Sequence, residues 1–505
     1  VLAILIFVPI LLFFVDFADV LPDNLHTLLH LQIMPAILGG MAGLVVFQFV
    51  LALLFGRIYC SVICPAGVLQ DIINRVFCIG KKKKKGVRRF SYHKPMNILR
   101  YSILGLTFVL AVFGMIELCT LLDPYSNFGR IANNLFRPVV MWVNNLLADG
   151  LARMDNYTLY HVTISNVTVF GVISALVALL VFILMVVFRG RLFCNTLCPV
   201  GTLLSLISRY SFFRISFDKE ACTHCGNCEH TCKAEAIDSK NLTVDTSRCV
   251  DCFNCVSSCA KGGLQYRFKP SFKKEAETAR AQTDVIQQAT APNSRRTFLS
   301  AGATVAVSLP IVSTIAQGME KGHGKGQHGQ GKHGNKWPPI VPPGAISLER
   351  FKDVCTGCQI CVTQCPSHVL RPTGLEYGFD YMLKPRIAYI DSYCNYECTV
   401  CSEVCPTHAI KPLTKEEKAT TQVGIATFFI NRCIVKTEGT DCGGLFGALP
   451  YPSRAYGSLR GHADHPASKP RSLHRLWRLR IDLSRTPDES DHHQGERSTQ
   501  VRGEA

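Results

Sequence analysis

Gly56-Arg57-Ile58-Tyr59-Cys60-Ser61-Val62-Ile63-Cys64-Pro65-Ala66-Gly67 recurs 134 residues later as Gly190-Arg191-Leu192-Phe193-Cys194-Asn195-Thr196-Leu197-Cys198-Pro199-Val200-Gly201. Each copy follows a long apolar run. The runs cover residues 1–15, 33–55, 98–119 and 167–188. The last three are about 22 residues each, long enough to cross a hydrocarbon core of ~30 Å. Basic residues follow the second run (Arg57, Arg75, Lys81 to Lys85, Arg88, Arg89, Lys94, Arg100) and the fourth (Arg189, Arg191, Arg209, Arg214). The loop after the first run holds Asp16, Asp19 and Asp23 and no Lys or Arg. By the positive-inside rule both motif copies lie on the cytoplasmic side, so the repeat is two parallel hairpins with their loops outside.

Composition narrows the class. The 505 residues carry a net charge of +17, yet only 18% are charged and 48% are hydrophobic. The cations flank apolar runs, which reads as membrane topology and not as a nucleic-acid surface. The 24 cysteines come in clusters in a chain far too long for a disulfide-stapled scaffold, so they point to metal.

Four cysteine runs have ferredoxin spacing. They are Cys222-x2-Cys225-x2-Cys228-x3-Cys232, Cys249-x2-Cys252-x2-Cys255-x3-Cys259, Cys355-x2-Cys358-x2-Cys361-x3-Cys365-Pro366 and Cys394-x3-Cys398-x2-Cys401-x3-Cys405-Pro406. Three close thiols on a tight loop grip one [4Fe-4S] core, and the fourth, opening a helix, ligates the other cluster of the pair. The expected sets in the first pair are Cys222, Cys225, Cys228 with Cys259, and Cys249, Cys252, Cys255 with Cys232. A zinc ribbon does not require the fourth cysteine at this offset. Lys233 and Ala260 stand where Pro usually follows the fourth cysteine. In the second pair, nested and adjacent pairings are both open.

In the repeated motif, cysteines at i and i+4 share a helical face. If the hairpins pack with pseudo-twofold symmetry, Cys60, Cys64, Cys194 and Cys198 meet as the four thiolates of one cluster. The alternative is two pairs of structural thiols. Cys78 and Cys119 read as inert core cysteines. Ser294-Arg295-Arg296-Thr297-Phe298-Leu299 before an apolar stretch has the form of a twin-arginine export signal. His323, His328 and His333 sit in a Gly/His/Lys-rich linker that reads as solvated. His26 and His30, one helical turn apart in the first outer loop, are candidates to face a quinol head group. No acid–base catalytic constellation is present, so catalytic residues are expected to be none.

Residues 33–268 resemble the NapH-type membrane quinol-dehydrogenase ferredoxins. The resemblance rests on the paired Gly-Arg-x-[Tyr/Phe]-Cys-x3-Cys-Pro motifs, the four runs, the two ferredoxin motifs, and the outer-loop segments Leu122-Asp123-Pro124-Tyr125-Ser126 and Phe128-Gly129-Arg130. Residues 294–442 resemble the exported NapG-type polyferredoxins, through the twin-arginine start and the Cys-x3-Cys variant. The third and fourth exported motifs of that family are absent.

The expected architecture is an α-helical membrane domain of four spans in two hairpin repeats (1–210), followed by two small α+β ferredoxin-like domains. The first is a cytoplasmic two-cluster ferredoxin (211–268). A linker (269–345) carries the export-like segment 294–316 and leads to the second ferredoxin domain, expected in the periplasm (346–442). This architecture and the resemblance together imply a multi-pass protein of the bacterial inner membrane. It would hold two cytoplasmic [4Fe-4S] clusters and up to two in the second domain. Its electrons would pass between the quinone pool or a cytoplasmic donor and a periplasmic reductase or other metalloenzyme. As an electron-transfer component it would be a quinol dehydrogenase subunit. The alternative is an iron–sulfur assembly factor or redox regulator for such a metalloenzyme.

The tail, 443–505, is read as aberrant and disordered. Leu445-x3-Leu449-Pro450 and Leu473-x2-Leu476-x2-Leu479-x3-Leu483-Ser484 have ferredoxin spacing with Leu for Cys. A Leu codon ending in TG reads as Cys one base later when T or C comes next. The tail therefore reads as frameshifted, which strands Cys433 and Cys442.

Overall fold

Each Cys-x3-Cys-Pro motif folds as one short helical turn, a break at the second cysteine, and a helix that the proline opens, because Pro has no N–H to lose at a first helical position. In the computed structural model the described residues are 2–18, 21–22, 26–79, 90–164, 167–268, 338–389, 392–421 and 423–426, with short strands at Tyr456–Leu459, Ala463–Pro466 and His493–Gln494. The export-like segment, His323, His328, His333, Lys81 to Lys85, the side chain of Cys78, Cys433, Cys442 and the leucine-spaced motifs lie outside the described residues.

The first helices are α1 (Leu2–Val15), α2 (Thr27–His30), α3 (Ile33–Leu38), α4 (Ala42–Phe55), α5 (Ile58–Val62) and α6 (Pro65–Ile79). After the basic segment come α7 (Asn97–Val112), α8 (Ile116–Leu122) and α9 (Pro124–Ile131), then a π-helical turn, Ala132–Phe136, and α10 (Arg137–Ala152). The second copy of the repeat supplies α11 (Val169–Arg189), α12 (Leu192–Thr196) and α13 (Pro199–Ser208). Two of the 22-residue apolar runs are therefore not single helices. Run 33–55 breaks at Gly39-Gly40, where Gly40 takes a left-handed φ of 71°, and run 98–119 breaks at Gly114, φ 75°. Among the described residues one helix, α11, with 21 residues, is long and apolar enough to cross a membrane by itself; α1, α4, α7 and α13 are shorter apolar helices.

The core of the helical domain is aromatic. Phe128 of α9, fully buried, meets Phe7 and Phe14 of α1 edge-on at 5.6 and 5.9 Å, and Tyr125 meets Phe14 at 5.9 Å. Burying a Phe side chain contributes roughly 2–3 kcal/mol. Large apolar side chains face outward on α4, α7, α10 and α11, among them Phe47, Phe108, Trp142, Leu146, Val177 and Leu180. No apolar run announces helix α10, because its outward Val, Trp and Leu residues alternate with Asn144, Asn145 and Asp149.

Two cysteine-rich modules attach at opposite ends of this domain. The first pairs β1 (Phe213–Phe217) with β4 (Leu264–Phe268) antiparallel, Phe213 opposite Phe268, and encloses the hairpin β2 (Ile237–Asp238) and β3 (Thr243–Val244) with the turns α14 (Asn227–Thr231) and α15 (Asn254–Ser257). It meets the C-terminal ends of α4 and α11. Those helices stop at Gly56 (φ 77°) and Gly190 (φ 64°), and a Cβ on Gly190 would stand 2.5 Å from the Lys233 carbonyl. Both repeated glycines are thus required twice, by backbone conformation and by close approach.

The second module holds α16 (Leu348–Val354), α17 (Ile360–Thr363), α18 (Val400–Glu403) and α19 (Lys415–Thr420), with β5 (Leu370–Pro372) paired to β6 (Pro385–Ile387). It sits at the other end, where a Cβ on Gly374 would touch Phe170 at the start of α11 and one on Gly39 would stand 2.8 Å from the Thr407 carbonyl. Helix α11 at 1.5 Å per residue separates the two modules by ~30 Å.

Candidate iron-sulfur centres

Three of the four ferredoxin loops share one backbone pattern. The second and fourth residues after the first cysteine are left-handed: His224 and Gly226, Asp251 and Phe253, Gly357 and Gln359. The third residue after the last cysteine is left-handed in all four: Glu235, Gly262, His368 and His408. Alternating right- and left-handed residues turn successive N–H groups inward and make a nest for an anion. The loop from Cys394 to Cys401 has no left-handed residue, since its extra residue lets the chain reach round without one.

The thiols group in fours across the motifs. Cys222, Cys225, Cys228 and Cys259 line one cavity of about 110 Å³. Cys232 lies within electrostatic reach of Cys249, Cys252 and Cys255. In the second module Cys405 joins Cys355, Cys358 and Cys361, and Cys365 joins Cys394 and Cys401, with Cys398 beside them. The pairing there is the adjacent one. Among the described residues no three Cys, His, Asp or Glu side chains converge on a single ion.

The fifth group is the repeat itself. Cys64 and Cys198 each lie within reach of Cys60 and Cys194. The arginines cross over. Arg57 donates from Nη2 to the Cys194 carbonyl at 2.9 Å, and Arg191 from Nη1 to the Cys60 carbonyl at 2.8 Å. The second glycines, Gly67 and Gly201, leave room for the same two carbonyls. Sulfurs accept hydrogen bonds here: Cys194 from Gln70 Nε2 at 3.3 Å and Cys198 from Gly201 N–H at 3.2 Å.

Arg57 and Arg191 are 0% and 1% exposed. Arg191 is paired with Asp71 at 2.6 Å; Arg57 donates to Asn195 Oδ1 at 2.8 Å and the Ser247 carbonyl at 3.1 Å, and lies within electrostatic reach of the buried Asp251. A buried cation needs an anion. Asp71 and Asp251 supply two; four thiolates on a cubane carry net negative charge that the two buried arginines also face, so these residues fit such a group.

Further buried cations face the second module's loops, and the spacing of cysteines gives no sign of them. Arg130 donates to the carbonyls of Gly357 and Thr356, both at 3.2 Å, and Arg137 to that of Thr363 at 2.9 Å. Lys384 holds Glu117 at 2.9 Å and lies near Cys355, while Lys418 reaches the Cys394 sulfur at 3.6 Å. Burial pushes the free thiols of Cys355 and Cys358 up to about 11 and about 12, so cluster insertion must expel their protons. His26 lies on Phe13, and His30 stacks on His408 at 5.3 Å, against the second module. Cys119 is buried and donates to the Thr107 carbonyl at 3.3 Å.

A 4Fe-4S binding domain model matches residues 36–86 and 172–220, and 4Fe-4S dicluster domain models match 214–260 and 354–409. The methylamine utilization ferredoxin-type protein MauN of Methylobacillus flagellatus is 28% identical over 231 residues, 45% of this chain and 67% of the relative. The putative electron transport protein YccM of Escherichia coli is 27% identical over 230 residues, 45% and 55%. The ferredoxin-type protein NapH of Escherichia coli is 26% identical over 241 residues, 45% and 68%. No solved structure matches. With its cysteine loops and its repeated motif, the chain carries 4Fe-4S binding domains and is similar to the ferredoxin-type proteins NapH and MauN and to the putative electron transport protein YccM.

Proposed function

We propose that the chain is a membrane-bound iron–sulfur protein that passes electrons between the quinone pool or a cytoplasmic donor and a periplasmic reductase or other metalloenzyme. The observation that carries this reading is the placement of the thiols: two pairs of tetrads at opposite ends of an apolar helical domain, with a fifth tetrad inside it. The outward apolar side chains of α4, α7, α10 and α11 support a lipid surround, and the basic flanks of residues 57–100 and 189–214 support a cytoplasmic first module. On this reading the second module is an exported NapG-like domain fused to a NapH-like one.

The clusters, when bound, supply one-electron chemistry. The residues do the rest: cysteines ligate, nests and buried cations balance charge, and the apolar shell excludes water. The test is to add a quinol to membrane vesicles holding the full chain and record reduced-cluster spin resonance. Reduction by quinol, or by a soluble low-potential donor alone, supports electron transfer and names the donor. Clusters that neither can reduce would refute it.

A further inference from the structure

The central tetrad and the second module are joined by one short element. Helix α9, buried over its whole length, begins beside the first and ends on the second. Asp123 caps it, accepting from the Ser126 N–H at 2.8 Å and hydroxyl at 2.6 Å. Asp123 lies within electrostatic reach of Cys64, and Tyr59, whose hydroxyl donates to Gln32 at 3.0 Å, within reach of Cys60, Cys64 and Asp123. One residue beyond the cap's proline, Tyr125 lies within reach of Asp123, Cys358, Cys361 and Cys405. It is 1% exposed, and its hydroxyl has no hydrogen-bond partner; nor has Asp123 Oδ1. Burying the Tyr125 hydroxyl without a bond is costly. At the far end Gly129 packs directly on the Cys358 carbonyl, so closely that any Cβ would collide with it, and Arg130 clasps the same loop.

On the other side the contact is equally specific. Arg191 lies within reach of both Cys194 and Cys252. Lys233, next to Cys232, pairs at 3.3 Å with Asp71, the carboxylate that also holds Arg191.

From this, and resting on the electron-transfer reading, we propose an order for the relay. Electrons pass from the Cys232/Cys249/Cys252/Cys255 tetrad to the central tetrad and then across α9, through Tyr125. They reach the Cys355/Cys358/Cys361/Cys405 tetrad first and the Cys365/Cys394/Cys398/Cys401 tetrad last. Each step moves one electron, oxidising one centre and reducing the next, with no bond made or broken. The ends are a one-electron donor at the first module and a one-electron acceptor at the second. Tunnelling falls steeply with distance, so whatever widens the gap at α9 slows this step. Gly129 is a positioning residue that keeps this gap closed, and Tyr125 fills it.

The experiment uses the full chain in sealed inverted vesicles, with dithionite, which does not cross the bilayer, added outside. Iron content and the fully reduced spectrum after detergent lysis report loading; the rate at which second-module signals appear in intact vesicles reports transfer. Wild type should transmit. Gly129→Val and Tyr125→Leu should slow that rate by an order of magnitude with iron content unchanged. Should Gly129→Val lose iron, Tyr125→Leu and Cys405→Ser still decide. In Cys405→Ser the far tetrad should stay oxidised in intact vesicles yet reduce after lysis. Wild-type rates in iron-replete Tyr125→Leu, or a far tetrad reduced at wild-type rate in Cys405→Ser, would overturn the order while leaving the general function standing. A wild type that never transmits would overturn the order as well, and the quinol assay decides the general function separately.

Discussion

The two cysteine-rich modules are built from the same motif and treated differently by their surroundings. In the first, Cys225 is exposed and Cys222, Cys232, Cys249, Cys252 and Cys259 are half-buried. In the second, only Cys398 and Cys401 are half-buried, and the other six are buried. The reason lies in docking. The first module meets the helical domain at Gly56 and Gly190 and through arginines, Arg57 and Arg100 donating to the Ser247 carbonyl at 3.1 and 2.9 Å, and leaves its outer loop around Cys225 exposed. The second is wrapped by α1, α9 and the π-turn: Gln364 donates to the Phe13 carbonyl at 2.6 Å, and Asn133 and Asn134 both donate to Gln359 Oε1 at 2.8 Å. Burial alone disfavours the more negative, reduced form of a cluster, and buried cations oppose that. Lys384, Lys418 and Arg130 carry that task at the second module, as Arg191 beside Cys252 and Arg248 beside Cys232 do at the first, where partial exposure of the thiols adds solvent screening.

The sharpest way to break the comparison is to remove a fourth ligand from each module. Cys259→Ser should abolish the cluster of Cys222, Cys225 and Cys228 and spare that of its own sequence neighbours. Iron analysis and spin resonance of the full chain check this, and loss of the Cys249-loop signal instead would show that the exchange is not made. A smaller effect is expected at Lys418. Lys418→Met removes a buried cation 3.6 Å from a ligand sulfur, and the far tetrad should become harder to reduce by on the order of 100 mV. A redox titration that finds no shift would mean that solvent already screens this site as it does the first module. The smallest effect is at the Gly190 contact. Gly190→Ala forces a left-handed alanine against the Lys233 carbonyl, a cost of about 1–2 kcal/mol. Limited proteolysis should release the first module faster in this variant, and an unchanged rate would mean that this contact is not what holds it.

Much of the site can be read from spacing because iron–sulfur loops are short and stereochemically constrained. The exchanged fourth cysteine follows from local geometry, whereas the meeting of Cys60, Cys64, Cys194 and Cys198 depends on the two repeats packing against each other, which the spacing suggests and only the tertiary structure supplies. Spacing alone leaves the second module's pairing open, because choosing between nested and adjacent partners requires knowing where Cys394 returns in space. The apolar runs overstate helix length, since hydropathy does not register the left-handed Gly40 and Gly114. The buried cations are hidden for a different reason. A lone Lys or Arg, such as Lys384 or Lys418, reads as surface until a partner 24 or more residues away is seen to cover it. Helix α10 escapes because its apolar residues are interleaved with polar ones, so no run marks it.

The crossed arginines have a consequence for biosynthesis. Each repeat carries the hydrogen-bond donor for the other's cysteine carbonyl, so neither hairpin can finish its own half of the central site. When the first hairpin has left the ribosome, Arg57 still lacks its acceptors. The matching half is 134 residues behind, a delay of roughly ten to twenty seconds at ordinary translation rates. Any factor that loads the central site must therefore act after the second motif has emerged, and a chain truncated between the repeats would be left with two thiols and with Arg57 missing its acceptors on Cys194 and Asn195.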